Sequence, residues 1–330
     1  MIHKIAAVLS TTALATFSAV AQGAHIDYDK IQIITQKLAP NFYSLAGSPA
    51  LDPGHPEAAG GRIGVLVGPD GVFLVDGTYA PLSGKVVEAI GKINPGPVRF
   101  LIDTHYHPDH TGGNPNFARM GALIFAREET RQRLIQPLPP AVATVVGRAA
   151  SWTDPDRLPA VTYGAGSPMK IYFDAETIDI IPVPAAHTDG DTMVRFEKSD
   201  IIMTGDFYRT YGYPFVDAAN GGSFKGTLEA IDTLLQVSGP NTKILPGHGM
   251  IATRTDVEAY RDMILDVESR IGMMIDGGKS LSDILAARLT AAYDSKVPGG
   301  TVPTPLGVGT SADRFVSALY AERKASRDMR

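Results

Sequence analysis

The stretch Asp103–Asn114, DTHYHPDHTGGN, packs three histidines and two aspartates into its first eight residues and then breaks with a glycine pair. A solvated loop gains little from three imidazoles, and a packed core has to find a partner for every ring nitrogen. A cation needs such side chains close together and unprotonated. Side chains alternate along an extended segment, so His105 and His107 face one side, and Pro108 keeps His107 out of the helical region. The chain turns at Pro108, which aims Asp109 and His110 in a second direction, while Gly112 and Gly113 permit the tight backbone of that turn. The first pair serves one metal and the second pair another.

The stretch follows PVRFLID (97–103), a buried strand in pattern, and three later runs repeat the arrangement. TIDIIPVPAAHTDG (177–190) delivers His187, SDIIMTGD (199–206) delivers Asp206 and TKILPGHG (242–249) delivers His248. Ligands of α/β sheets bind in the loops beyond strand ends, so these loops are expected to converge on one sheet edge. They bring the candidate ligands to seven, more than one tetrahedral zinc takes but suited to two metals sharing a carboxylate. Cysteine is absent, which excludes disulfides, thiolate ligands and a cysteine nucleophile.

Outward from this centre, GRIGVLVGPDGVFLVDG (61–77) reads as two antiparallel strands joined by a Pro-Asp-Gly turn, ending at Asp76. LSGKVVEAIGKI (82–93) carries the apolar stripe of a helix. AGSPALDPGHPEAAGG (46–61), with His55, is a loop in composition, either a flap beside the site or a plain surface loop. The proline-rich segment 136–168, with Trp152, reads as a lid or insertion. From Thr255 the pattern becomes helical: Thr255 and Glu258 match a capping box, and Ser280 and Thr310 are the expected N-caps of two further helices. The expected organisation is a leader over 1–21, a catalytic domain over 22–252 and a helical extension over 253–330.

Of the 330 residues, 44% are hydrophobic and 20% charged, which supports a large globular core. A net charge of -5 without clustered lysine and arginine argues against nucleic acid as a partner and leaves a small-molecule substrate. The N-terminal MIHKIAAVLSTTALATFSAVAQG has the basic start, short apolar run and small-x-small end of a secretory signal, with cleavage expected after Ala21 and a periplasmic or secreted product. The run is too short to span a bilayer, which takes about 20 apolar residues, so no stable membrane anchor is expected after cleavage. Oligomeric state is not readable from the sequence.

His105, His107, Asp109 and His110 in the pattern H-x-H-x-D-H, followed by His187, the Gly205-Asp206 step and Gly247-His248-Gly249, resemble the metallo-β-lactamase superfamily over roughly residues 40 to 252. The helical tail is similar to that of exported hydrolases in the superfamily. The resemblance implies an α/β (α+β) fold, a four-layer αββα sandwich with its site at one edge. It also implies two zinc ions, the first on His105, His107 and His187, the second on Asp109, His110 and His248, with Asp206 bridging. Asp76 matches an aspartate ending an early strand, where a carboxylate hydrogen-bonded to a ligating imidazole would fix its tautomer.

Such a centre implies a hydrolase attacking an ester, lactone, thioester or amide-type carbonyl with hydroxide made from zinc-bound water, and Asp109 and Asp206 as its catalytic carboxylates. Dedicated β-lactamases of the superfamily usually carry cysteine or serine at the Asp206 position, whereas glyoxalase II, lactonases and related esterases have aspartate. Arg209 stands three residues after Asp206, where some lactamases place a substrate-binding lysine, so β-lactamase activity, weak or promiscuous, is the alternative. An iron-dependent persulfide dioxygenase is a second alternative and a non-catalytic metal-binding protein a third. Tyr208 and Arg209 in GDFYRTYGYPF are candidate substrate contacts, and Asn220 in NGGSFKG a candidate oxyanion donor. Asp191 reads as a turn residue that positions His187.

Overall fold

Gly71–Val75 (β4) is buried at every residue, which an alternating strand achieves only when both of its faces are covered. Phe73 and Val75 point into one apolar core and Val72 and Leu74 into another. That division organises the molecule. The computed structural model describes residues 26–137, 154–304 and 309–328. The expected leader, Trp152 and part of the 136–168 segment lie outside them.

Seven strands form one sheet in sequence order: β1 (Ile33–Ala39), β2 (Phe42–Gly47), β3 (Ile63–Gly68), β4, β5 (Val98–Ile102), β6 (Leu123–Arg127) and β7 (Val161–Tyr163). β1 to β4 pair antiparallel, and β4 to β7 pair parallel. β8 (Met169–Phe173), β9 (Glu176–Pro182), β10 (Thr192–Phe196), β11 (Ile201–Gly205) and β12 (Lys243–Pro246) form the second sheet, antiparallel except for the β11–β12 pair. The 61–77 hairpin forms as expected, with Gly68 paired to Gly71 across its turn. The 136–168 segment is no lid throughout, because its end is β7, an edge strand of the first sheet.

The core between the sheets joins Phe42, Phe73 and Ile102 from the first to Phe196, Ile201 and Met203 from the second. Helix α1 (Ser83–Ile93) covers the outer face of the first sheet through Val86 and Ile90. Short helices α2 (Pro108–Thr111), α3 (Asn114–Arg119) and α4 (Glu128–Ile135) follow. Helices α5 (Phe224–Val237), α6 (Arg254–Asp276), α7 (Leu281–Ala286) and α8 (Ser311–Asp328) share a third core with the outer face of the second sheet, where Met193, Ile202 and Ile244 meet Ile231, Val267 and Phe315. The layering is αββα, and the C-terminal helices share the main body's core rather than forming an appendage.

Ser280 and Thr310 cap their helices, each exchanging bonds with an aspartate three residues on. The Thr255–Glu258 box does not form. The box is two residues earlier, with the Thr253 N–H and hydroxyl both donating to Asp256 at 2.8 and 2.7 Å. Glu258 instead pairs with Arg254 at 3.0 Å. Both pairs fit the sequence pattern, and the one adjoining β12 is taken.

Candidate metal centre

His105 and His107 leave the end of β5, and Pro108 starts α2, which carries Asp109 and His110. His187 lies between β9 and β10, Asp206 directly follows β11, and His248 lies two residues past β12. Both sheets therefore deliver ligands to the same edge. The loop before β3 binds these segments together: Gly61 N–H donates to Asp109 O at 3.0 Å and Arg62 N–H to Gly247 O at 2.9 Å. The Arg62 guanidinium also bonds the Pro246 and Gly249 carbonyls. A Cβ on Gly61 would stand 2.4 Å from the His110 ring, so only glycine fits against it.

In the first cluster, His105 Nε2 and His187 Nε2 lie 3.1 and 3.0 Å from His107 Nδ1. The other nitrogen of each ring is committed as a donor. His187 Nδ1 donates to Phe215 O at 2.8 Å, and His107 Nε2 faces Asp217 Oδ2 at 3.0 Å. Thr104 spends its hydroxyl proton on Asp76 at 2.9 Å, so at 3.1 Å it accepts from His105 Nδ1. Burial, then His110, holds His105 well below the usual imidazole range; burial, then His107, pushes His187 down to about 3. Unprotonated at the inward nitrogens, as a metal requires, the three rings would turn their lone pairs on one another. A cation resolves that repulsion, and tetrahedral zinc with bonds near 2.0–2.1 Å would set neighbouring nitrogens about 3.3 Å apart.

The second cluster lies beside it. His110 Nδ1 bonds Asp76 Oδ2 at 2.8 Å, which leaves Nε2 facing Asp109 Oδ2 at 3.4 Å and Asp206 Oδ1 at 3.3 Å. His248 Nε2 is 3.0 Å from Asp109 Oδ2 and 3.3 Å from Asp206 Oδ2. Asp206 Oδ2 also stands 3.8 Å from His187 Nε2, so one carboxylate reaches both clusters. His110 Nε2, His248 Nε2 and Asp206 Oδ1 are buried without a hydrogen-bond partner. This is the chemistry of ligand atoms, and the residues fit a pair of divalent cations.

Burial alone would lower His110 and His248, but Asp109 with Asp76 and Asp206 in the first case, and Asp206 with Asp109 in the second, outweigh it and raise both well above the usual range. Burial likewise opposes the charge on Asp109 and Asp206, yet the facing histidines hold both well below the usual carboxylate range. Without metal the cluster is held by protons that a metal would displace.

Asp76 serves both clusters. Its carboxylate accepts from Thr104 N–H at 2.8 Å, the Thr104 hydroxyl and His110 Nδ1. It does so at φ 66°, a left-handed backbone that costs a residue with a side chain about 1–3 kcal/mol. Asp191 is not a ligand; it accepts the Thr188 N–H and hydroxyl in the turn after His187.

Two members of the site carry no spacing signature in the sequence. His55 stacks on His248 with centroids 3.6 Å apart, and its Nε2 is 3.5 Å from Asp109 Oδ2. Burial, then His248, pushes it down to about 3. Its loop is a wall of the site, pinned by Asp52, which accepts from Gly54 N–H and the Tyr79 hydroxyl. Metal-ligand geometry groups His55 with Asp109 and His248, and His110 with His105 and Asp206, a different partition from the one the resemblance implied. Asp217 is the other: it accepts from His107 Nε2, the Tyr106 hydroxyl at 2.8 Å and Asn220 Nδ2 at 2.8 Å. Its burial is outweighed by His107, which holds its carboxyl well below the usual range.

A cavity of about 350 Å³ opens beside the clusters, lined by Asp109, Asp206, His55 and Arg209 among others. Arg209 thus sits where a substrate contact would. Tyr208 does not: it is buried edge-on against Tyr260, 4.9 Å away, in the helical core. Asn220 lines the cavity but spends an amide hydrogen on Asp217 and its carbonyl on Arg133, so it acts as a strut beneath Asp217.

With this geometry in hand, comparisons with known proteins are consistent with one fold. The profile described as the Metallo-beta-lactamase superfamily matches residues 59–164, which hold His105, His107, Asp109 and His110. Similar solved structures include a metallo-β-lactamase from Pontibacter korlensis, 17% identical, covering 70% of this chain and 99% of its own, with a TM-score of 0.55. The DIM-1 metallo-β-lactamase is 16% identical, covering 71% and 97%, with a TM-score of 0.55. The chain has the metallo-β-lactamase fold. A curated relative, the 2,4-dinitroanisole O-demethylase subunit alpha of Nocardioides sp. (strain JS1661), is 29% identical over 151 residues, 43% of this chain and 42% of the relative. The chain spans less than half the length of that relative.

Proposed function

We propose that the protein is a dinuclear zinc hydrolase that cleaves an ester, lactone, thioester or amide-type carbonyl, exported to the periplasm or beyond. The observation that carries this reading is the convergence of three bare imidazole nitrogens at 3.0–3.1 Å beside a second His/Asp cluster, with Asp206 reaching both. His105, His107 and His187 would hold one ion and Asp109, His110 and His248 the other, with His55 beside the second. Zinc in such a site lowers the pKa of water to about 7 and polarises a carbonyl oxygen.

The chain's own residues supply the rest. Asp217, Phe215 and Thr104 fix the tautomers of the first three rings, and Asp76 fixes His110. Asp109 presents a carboxylate into the cavity, placed to take a proton from an attacking water and return it to the leaving atom. Water oxygen bonds to the carbonyl carbon, the bond to the leaving oxygen, sulfur or nitrogen breaks, and the proton ends on that atom. The loop carrying His55 walls one side of the cavity.

β-Lactam hydrolysis is the second reading, supported by Arg209 lining the cavity next to Asp206. The name of the curated relative extends the substrates worth testing to activated aryl methyl ethers, where water would attack an electron-poor ring carbon and expel methoxide. Export rests on the N-terminal sequence. Among the described residues no helix is long and apolar enough to cross a membrane.

The test is metal analysis with a substrate panel. Two zinc ions per chain and turnover of one carbonyl class, with kcat/KM of about 10⁴ M⁻¹s⁻¹ or more, support the reading. A single iron with sulfite formed from a persulfide would replace it with the dioxygenase. N-terminal sequencing of the mature protein tests cleavage after Ala21.

A further inference from the structure

Arg314, from the C-terminal helix α8, lines the same cavity as Arg209, Asp109 and Asp206. Its guanidinium carbon lies 4.0 Å over the Phe215 ring, and that ring meets His187 edge-on with centroids 5.2 Å apart. One aromatic layer therefore separates Arg314 from the first metal cluster. Among the described residues Arg314 has no ion-pair partner, and its Nε is buried without a hydrogen bond. Arg209 gives its Nε to Tyr211 O at 2.7 Å and has no ion pair either. By contrast, Arg127, Arg133 and Arg261 each have a carboxylate partner. The four carboxylates lining the cavity are engaged elsewhere: Asp109 and Asp206 face histidines, Asp217 accepts from His107, Tyr106 and Asn220, and Asp52 accepts from Gly54, Gly60 and Tyr79.

Two guanidinium groups lining one cavity, neither in an ion pair among the described residues, repel each other and lose hydration. Burial first, and Arg209 second, push Arg314 down to about 9, so it remains charged at neutral pH. Stacking on Phe215 offsets part of that cost and leaves the guanidinium edge without a partner at Nε. A guanidinium fork matches a planar anion, and an arginine stacked on an aromatic ring is already oriented for it.

We propose that Arg314, with Arg209 beside it, forms an anion-binding subsite, and that the substrate is a small molecule carrying a carboxylate or other singly charged oxyanion next to its scissile carbonyl. The proposal rests on the hydrolase reading for the carbonyl but not for the anion. The C-terminal helix thereby contributes a specificity residue to the site, Arg314 holding the anion while the metal ligands face the bond to be cleaved.

The test separates the two readings. Benzenesulfonate, a weak metal ligand, is titrated calorimetrically into the zinc-loaded full chain and into Arg314→Gln, Arg314→Met and Arg314→Lys. Folding of each variant is checked by its melting temperature, and the glutamine and methionine variants back each other up. In parallel, kcat/KM is measured for 4-nitrophenyl hemisuccinate, which carries a free carboxylate, and for its neutral methyl ester. The expected result is saturable benzenesulfonate binding weakened roughly tenfold or more in the uncharged variants, and less in Arg314→Lys, the scale of one lost charge-assisted hydrogen bond. The preference for the anionic ester should fall by a similar factor. Absence of binding to the wild type, or equal binding and equal preference in a folded uncharged variant, overturns the subsite while leaving hydrolysis intact. Binding that depends on residue 314 without hydrolysis of either ester supports the subsite and removes simple esters from the substrate classes of the hydrolase reading.

Discussion

The Asp217 carboxylate bonds one candidate ligand, His107, and its backbone N–H donates to the carbonyl of His187 in the same set at 2.8 Å, so replacing its side chain perturbs the two metal positions unequally. Its carboxylate takes the proton of His107 Nε2 at 3.0 Å and the Tyr106 hydroxyl at 2.8 Å. Asp217→Asn keeps the shape and one carbonyl acceptor but removes the charge that makes His107 Nδ1 a stronger electron donor. Loss of such a partner of a ligating histidine typically costs about 10- to 100-fold in metal affinity, or roughly 1.4–2.8 kcal/mol. Asp217→Ala also strands the Tyr106 hydroxyl and the Asn220 amide, and each broken bond adds about 1 kcal/mol to the loss of stability. Zinc affinities from competition with a chromophoric chelator would show two steps, with only the step belonging to the His105, His107 and His187 set weakened in Asp217→Asn. Equal weakening of both steps, or no change in either, would refute the assignment of His107 to a separate first site.

Zinc should stabilise the protein more as pH rises above the ordinary imidazole range. His110 and His248 are raised in the metal-free chain, so their contribution to apo stability is complete below the ordinary imidazole value and is lost as pH rises through the raised value. Zinc requires those protons to leave, so calorimetry in buffers of differing ionisation enthalpy should show proton release on binding at pH 7. Gly222→Ala should destabilise by about 1–3 kcal/mol and lower metal content, because its Cβ would meet the His187 carbonyl oxygen at 2.3 Å. Asp256→Ala removes the carboxylate that answers Thr253 and should cost about 1 kcal/mol in chemical denaturation without altering metal content.

Single strands, and the histidine cluster at the end of one of them, were legible because their signals are local, whereas the four layers entered only through the family resemblance. The unbroken apolar run Val72–Val75 in the 61–77 hairpin reports a strand buried on both faces, and three histidines within six residues have few uses besides a metal. His187, Asp206 and His248 could be read because each ends a β-rich run. His55 and Asp217 could not, since each stands alone in a turn-like segment and Asp217 lies 110 residues from the histidine it orients. Proximity of that kind is made by the two sheets meeting at an edge. Tyr208 and Arg209 show the converse limit, where adjacent residues part company because the backbone sends one side chain into the helical core and its neighbour into the cavity. The capping box was displaced because two Thr-x-x-acid pairs stand two residues apart, and pattern alone does not rank them.

The shared core of the second sheet and the C-terminal helices has a consequence for the order of assembly. A chain made from its N terminus presents His105 early and His248 much later, while Phe315, which packs on Phe224 and Tyr213, arrives later still. Until then the outer face of the five-stranded sheet has only α5, α6 and α7 over it and the cavity lacks Arg314. A nascent chain could therefore gather every ligand expected from the sequence and still be without a finished pocket. Loss of the chain from residue 311 onward would strip Phe315 from the core over the second sheet and Arg314 from the cavity together, so core packing and pocket shape are coupled through one helix.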